Sequence, residues 1–136
     1  MMRDIPIQFF PILVAALVKI VLGALWYSPA LLIRPWRRMT GITEEQMRAG
    51  MAKAVVMDII GSFVMAFVLF HAIRYAEAST ILQGLAVGFF CWLGFIAVAT
   101  ITTVTYERKP FALFVLNNGY LLLSLLLMGA ILAVWR

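Results

Sequence analysis

Side chains that carry chemistry are scarce in these 136 residues, which hold one cysteine, one histidine and six carboxylates. A lone Cys91 excludes an internal disulfide and a cysteine-ligated metal cluster, and a lone His71 leaves no imidazole pair for a haem or a metal. A glycine-rich phosphate loop is missing too, as are the HExxH, CxxC and GxSxG patterns. Catalysis would have to rest on Asp58 or Glu107 alone, so the chain reads as a non-enzyme with no catalytic residue, cofactor or metal site. What abounds is apolar surface: 65% of residues are hydrophobic and only 12% charged, with mean hydropathy +1.03. Such a composition excludes an ordinary soluble domain and points to a membrane.

Crossing a hydrocarbon core of roughly 30 Å takes about 20 apolar residues. Four stretches qualify, at about 6–27, 51–73, 81–106 and 111–135, and short polar connections leave no room for a second domain, so 1–136 reads as one. The expected fold is all-α, an antiparallel transmembrane four-helix bundle. Pro6 or Pro11 suits a first helical turn, where a missing N–H costs nothing, while Ser28-Pro29 stops the first helix behind the interface anchors Trp26 and Tyr27. Asp4, Pro6 and Pro11 interrupt the opening stretch and Lys19 breaks the apolar run behind it, so no cleaved signal peptide is expected.

Residues 30–50 read as an amphipathic interfacial segment followed by a polar helix start. Apolar side chains there alternate with Arg34, Arg37 and Arg38, which are expected to meet lipid headgroup phosphates. Thr43-Glu44-Glu45-Gln46 has the form of a capping box and begins the helix that continues into the second span. The formal charge of +5 does not indicate nucleic acid, because the basic residues sit at the ends of apolar runs rather than on one face. Arg34, Arg37, Arg38, Arg48, Lys53, Arg108 and Lys109 fall on one side and Arg3, Arg74 and Arg136 on the other, which predicts both termini outside.

Two charges interrupt the spans, Lys19 in the first and Asp58 in the second. Lys19 lies seven residues before Trp26 and Asp58 seven after Met51, which places both about 10 Å inside one face. Thr100, Asn117 and Asn118 fall in the same layer, so the five are expected to face the interior and satisfy one another. Ala15, Lys19 and Gly23 recur at helical spacing, as do Ala54, Asp58, Ser62 and Ala66, and these two small-residue stripes predict close contact between the first and second helices. Gly84 and Gly88 form a GxxxG pair that suits either a symmetric dimer or packing on the fourth helix. The hydroxyls of Thr100, Thr102, Thr103 and Thr105 are expected to bond back to their own helix.

Gly23-Ala24-Leu25-Trp26-Tyr27-Ser28-Pro29 with Pro35-Trp36, then Tyr106-Glu107-Arg108-Lys109-Pro110, then Asn117-Asn118-Gly119-Tyr120, resembles the small bacterial membrane proteins grouped as domain of unknown function 1761. The likeness spans nearly the whole chain. It implies four transmembrane helices, a bacterial cytoplasmic membrane and no established activity, with the interface motif Trp26, Tyr27, Ser28, Pro29 and Trp36 at the cytoplasmic side. Short loops and the lack of motifs favour a structural or accessory protein, acting through helix contacts with itself or with a larger membrane complex. Two other readings stand beside it. One is a small transporter or channel that binds a proton, ion or polar solute at the Lys19, Asp58 and Asn117 layer; the other is a binder of lipid or a hydrophobic small molecule near Trp26 and Trp36.

Overall fold

A computed structural model describes residues 5–135, so Arg3 and Arg136 of the charge count lie outside the described residues. Helix α1 spans Phe9–Trp26, α2 Ile33–Thr40, α3 Glu44–Ala49, α4 Met51–Tyr75, α5 Ile81–Thr105 and α6 Phe111–Val134. No strand occurs among the described residues. α1, α4, α5 and α6 are each long and apolar enough to cross a membrane, and the chain is a multi-pass helical membrane protein. α6 is the hub, packing against α1, α4 and α5, whereas α4 and α5 touch only briefly. Their divergence leaves an apolar groove of about 540 Å³ between Val64 and Val68 on one side and Cys91, Phe95 and Ile96 on the other.

Local chemistry explains most boundaries. α1 starts at Phe9, which puts Pro11 in its first turn and leaves Pro6 outside. Beyond Trp26 the Ser28 hydroxyl donates to Leu25 O at 2.7 Å, and the chain turns into α2. Gly41 ends α2 in the left-handed region at φ 73°, where a side chain would be strained. The Thr43–Gln46 capping box is present in both directions. The helix it starts does not run on into the membrane as expected, because α3 stops and α4 begins anew at Gly50, whose ψ of 1° leaves the helical region. A second capping box, Thr80 with Gln83, starts α5; the same Thr-x-x-Gln spacing was there to be read.

α5 is not uniform. It is α-helical over Ile81–Cys91, π-helical over Trp92–Ala97, and resumes as short α pieces at Val98–Thr100 and Thr102–Thr105. The four threonines bond back to the carbonyls of Ile96, Ala99, Thr100 and Ile101, as their positions suggested. The wider π turn was not foreseen, since apolar periodicity over so few residues does not register it.

The core occupies the half of the bundle remote from α2. Ile12, Ala15 and Ala16 of α1 meet Ala66, Leu69, Phe70 and Ile73 of α4 and Leu125, Met128, Leu132 and Ala133 of α6. The small-residue contact between α1 and α4 therefore holds at Ser62 and Ala66 but opens toward Ala54 and Asp58, both of which are exposed. Gly23 faces α6 instead, where a Cβ would come within 2.7 Å of the Tyr120 hydroxyl oxygen. The Gly84–Gly88 pair is likewise spent within the chain. A Cβ on Gly84 would strike the Gly129 carbonyl oxygen, and one on Gly88 the Leu125 carbonyl oxygen. Lipid tails are as apolar as leucine, so close backbone contact rather than escape from water holds α5 on α6.

Gly88→Val should therefore separate α5 from α6 and lower stability by about 3 kcal/mol or more, since the atoms met are backbone and have nowhere to move. Gly61→Ala, whose Cβ meets nothing within 4 Å, should be neutral or stabilising by up to about 1 kcal/mol. Thermal melts in detergent check both; equal melting of the two variants would remove the seam from the account.

Candidate functional site

Lys19 is the centre of the only charged cluster inside the spans among the described residues. It is 5% exposed, and its Nζ donates to Ser62 Oγ at 3.0 Å, Tyr120 OH at 3.1 Å and Asp58 Oδ1 at 3.4 Å. An ammonium has three protons, and each finds one acceptor. Tyr120 donates in turn to the Lys19 carbonyl oxygen at 3.2 Å, so the phenol is held at both lone pair and proton. The Lys19 ammonium also lies 5.3 Å from the Tyr120 ring centroid. These bonds tie α1, α4 and α6 together at one depth.

The ion pair is lopsided. Lys19 is buried, while the Asp58 side chain is 48% exposed and makes the longest of the three contacts. Asp58 was expected to face the bundle interior, and it lies at its rim instead: every residue of the first three turns of α4, Met51 to Gly61, is exposed. Ser62, one turn further and fully buried, takes the interior place instead. Neutral dipoles thus solvate the ammonium directly, and the carboxylate balances its charge from the rim.

Directly above this cluster the motif residues of α1 and α6 interlock. The Trp26 indole Nε1 donates to Leu116 O at 3.0 Å, and Gly119 leaves room for its ring, since a Cβ there would come within 3.1 Å of it. Tyr27 OH donates to Asn117 Oδ1 at 2.8 Å, and its ring meets Tyr120 edge-on at 5.5 Å and Trp36 of α2 at 6.1 Å. Burial, then the neighbouring Tyr120 and Asp58, push the Tyr27 phenol well above its ordinary pKa, which keeps it a proton donor. Ser28 and Pro29 form the turn that follows, with Pro29 exposed.

Asn118 belongs to a different network. Its Oδ1 accepts from Trp92 Nε1 at 3.1 Å and its Nδ2 donates to Thr100 Oγ1 at 3.2 Å, both on α5. The single polar layer expected from depth is therefore two networks, set back to back on α6. Consecutive helical residues point about 100° apart, so Asn117 turns to α1 and Asn118 to α5. Neither Asn117 nor Thr100 bonds to Lys19. Tyr120 was the partner missed, although it lies three residues after Asn117 in the same motif and shares its helix face.

Elsewhere, Arg34, Arg37 and Arg38 line one pocket beside Gly41, Ile42 and Thr43 at the α2 end of the bundle. His71 sits at the opposite end among Phe67, Phe70 and Tyr75, with Nδ1 2.8 Å from Phe67 O. No group of three or more His, Cys, Asp or Glu side chains among the described residues is placed to hold a metal.

Asp58→Leu alone strands a buried ammonium with only neutral acceptors and should cost about 1–3 kcal/mol, the exposed carboxylate being partly screened. Adding Lys19→Met should recover part of that loss, because two apolar side chains replace the pair. Melts of both singles and the double give the coupling; strict additivity would mean the pair is not an energetic unit.

No curated protein and no solved structure matches the chain. The family model for the protein of unknown function DUF1761 covers residues 10–133, which takes in all the motif residues of α1, α2 and α6 just described, and the chain belongs to that family.

Proposed function

We propose that the chain is a structural or accessory membrane protein that works through helix contacts, with itself or with a larger membrane complex, made by the exposed start of α4. The observation that supports this reading is Met51–Gly61. Eleven consecutive residues of a membrane-spanning helix are all exposed, and among them is a half-exposed carboxylate, Asp58, whose one partner among the described residues is Lys19. Valine, methionine and isoleucine side chains are at home in lipid. A carboxylate is not: with one oxygen on Lys19, about half of the Asp58 side chain stays open, at a cost, where the surroundings are apolar. A transmembrane helix bearing a hydroxyl, amide or cationic donor at this depth would relieve that cost. The crowding of Arg34, Arg37, Arg38, Arg48, Lys53, Arg108 and Lys109 at the α2 end supports a cytoplasmic placement for it, with both termini outside a bacterial cytoplasmic membrane.

One observation favours a second reading, a small transporter or channel for a proton, ion or polar solute. Asp58 holds a buried cation while half of its own side chain stays open. In reconstituted vesicles Asp58→Asn should then abolish flux while Tyr27→Phe spares it; wild-type protein without flux above empty vesicles would dismiss this reading.

The first reading is tested by photo-crosslinking in native membranes from Met57 on α4 and from Phe95 on the lipid-facing side of α5. Met57 should give a discrete protein adduct and Phe95 only lipid adducts. An adduct of twice the 15.2 kDa chain mass identifies a second copy, and any other discrete mass identifies a foreign subunit. Lipid adducts alone at both positions would reject the contact.

A further inference from the structure

We propose that the pocket lined by Arg34, Arg37 and Arg38 binds a negatively charged phosphate group, that of an anionic phospholipid headgroup or of a soluble phosphate. The inference is independent of the α4 contact. α2 is eight residues long, and its three arginines, at i, i+3 and i+4, share one face. Ile33 is buried and Trp36 packs on Tyr27, so α2 is pinned to the bundle end, with Arg34 and Arg38 exposed and Arg37 partly buried. That end is where the first span leaves the membrane, the depth at which headgroups lie.

Three features separate this cluster from an ordinary basic surface. First, no carboxylate among the described residues pairs with any of the three, the ion pairs there including Lys19–Asp58 and Arg48–Glu44. Second, the arginines converge on one pocket of about 580 Å³, large enough for a phosphate with part of its alcohol. Third, Arg37 Nε is closed off from solvent without any acceptor. A buried N–H left in that state is costly, and turning the guanidinium into the pocket toward a phosphate oxygen would satisfy it.

The chemistry is that of guanidinium forks rather than a backbone cradle. The N–H groups of Gly41 and Thr43 are engaged by Arg37 O and Gln46 Oε1, and that of Ile42 lies 3.5 Å from Thr40 Oγ1. The carboxyl end of α2 accounts for little of this charge, since a helix terminus carries only about half a negative charge against three cations. Planar forks that present paired N–H groups are the geometry that grips phosphate in two places.

The test uses the full chain in a neutral detergent, titrated separately with phosphatidylglycerol, phosphatidylcholine and inorganic phosphate, with binding followed by native mass spectrometry and thermal shift. Phosphatidylglycerol should bind at least about tenfold more tightly than zwitterionic phosphatidylcholine, and Arg34→Gln/Arg37→Gln should erase the difference. The control is Arg108→Gln/Lys109→Gln, which removes the same charge from the same end and should leave binding intact. Inorganic phosphate binding as well as phosphatidylglycerol, with the same arginine dependence, supports the pocket and assigns a soluble source. Equal loss in both double variants means diffuse attraction and overturns the proposal, as does undiminished binding in the arginine variant. Helix content by circular dichroism confirms that each variant is folded; should the double fail to fold, Arg37→Gln alone carries the comparison.

Discussion

A buried ammonium fixes the arrangement of three of the four spans. Lys19 has three protons to satisfy far from water, and Ser62, Tyr120 and Asp58 supply the acceptors from two other helices. Apolar packing in lipid has little preference for one helix rotation over another, because tails and leucines are equivalent neighbours. A charge that must find three oxygens does have such a preference. It sets which faces of α1, α4 and α6 look inward and at what height, and the Tyr27–Asn117 and Trp26–Leu116 bonds then fall into register above it.

α5 is held by different means. Glycines on α5 and α6 bring the backbones together, and Asn118 reaches across to Trp92 and Thr100. α6 thus presents a polar, bonded face to α1 and a close-packed face to α5. α4 makes only half a contribution: its later turns enter the core, while its first three stand clear. The bundle is consequently tight at the end remote from α2 and open along α4 at the other. The family motifs gather at that second end, where the α1 and α6 elements prove to be two halves of one aromatic and amide cluster.

Much of this was legible in the sequence, for reasons that also mark where legibility stops. Apolar runs and prolines placed all four spans, and the helical rise put Lys19 level with Asp58, because residue count along a helix converts directly into height. Height says nothing of azimuth. Asn117 and Asn118 were therefore merged into one layer although they face different helices, and Asp58 was turned inward although it lies at the rim. Tyr120 went unrecognised as a partner of Lys19 because depth alone does not show which helix its hydroxyl meets, whereas Gly23 clears the space for it. The family likeness was carried by the tryptophan-tyrosine-serine-proline and double-asparagine elements, and residues 10–133 bear it out.

The sequence separation of the Lys19 bonds has a consequence for how the molecule is made. Synthesis delivers α1 to the membrane before α4 and α6, so Ser62 follows Lys19 by 43 residues and the Tyr120 hydroxyl by 101. Until α6 emerges, the first helix carries an ammonium whose acceptors do not all exist. Assembly must therefore be completed backwards, with α6 closing a bond to the earlier-made α1, and α1 has to be sheltered or held near the headgroups in the interval. A chain stalled before Tyr120 would carry that unfinished bond as a mark of its incompleteness, open to the cell's machinery for recognising orphaned membrane helices.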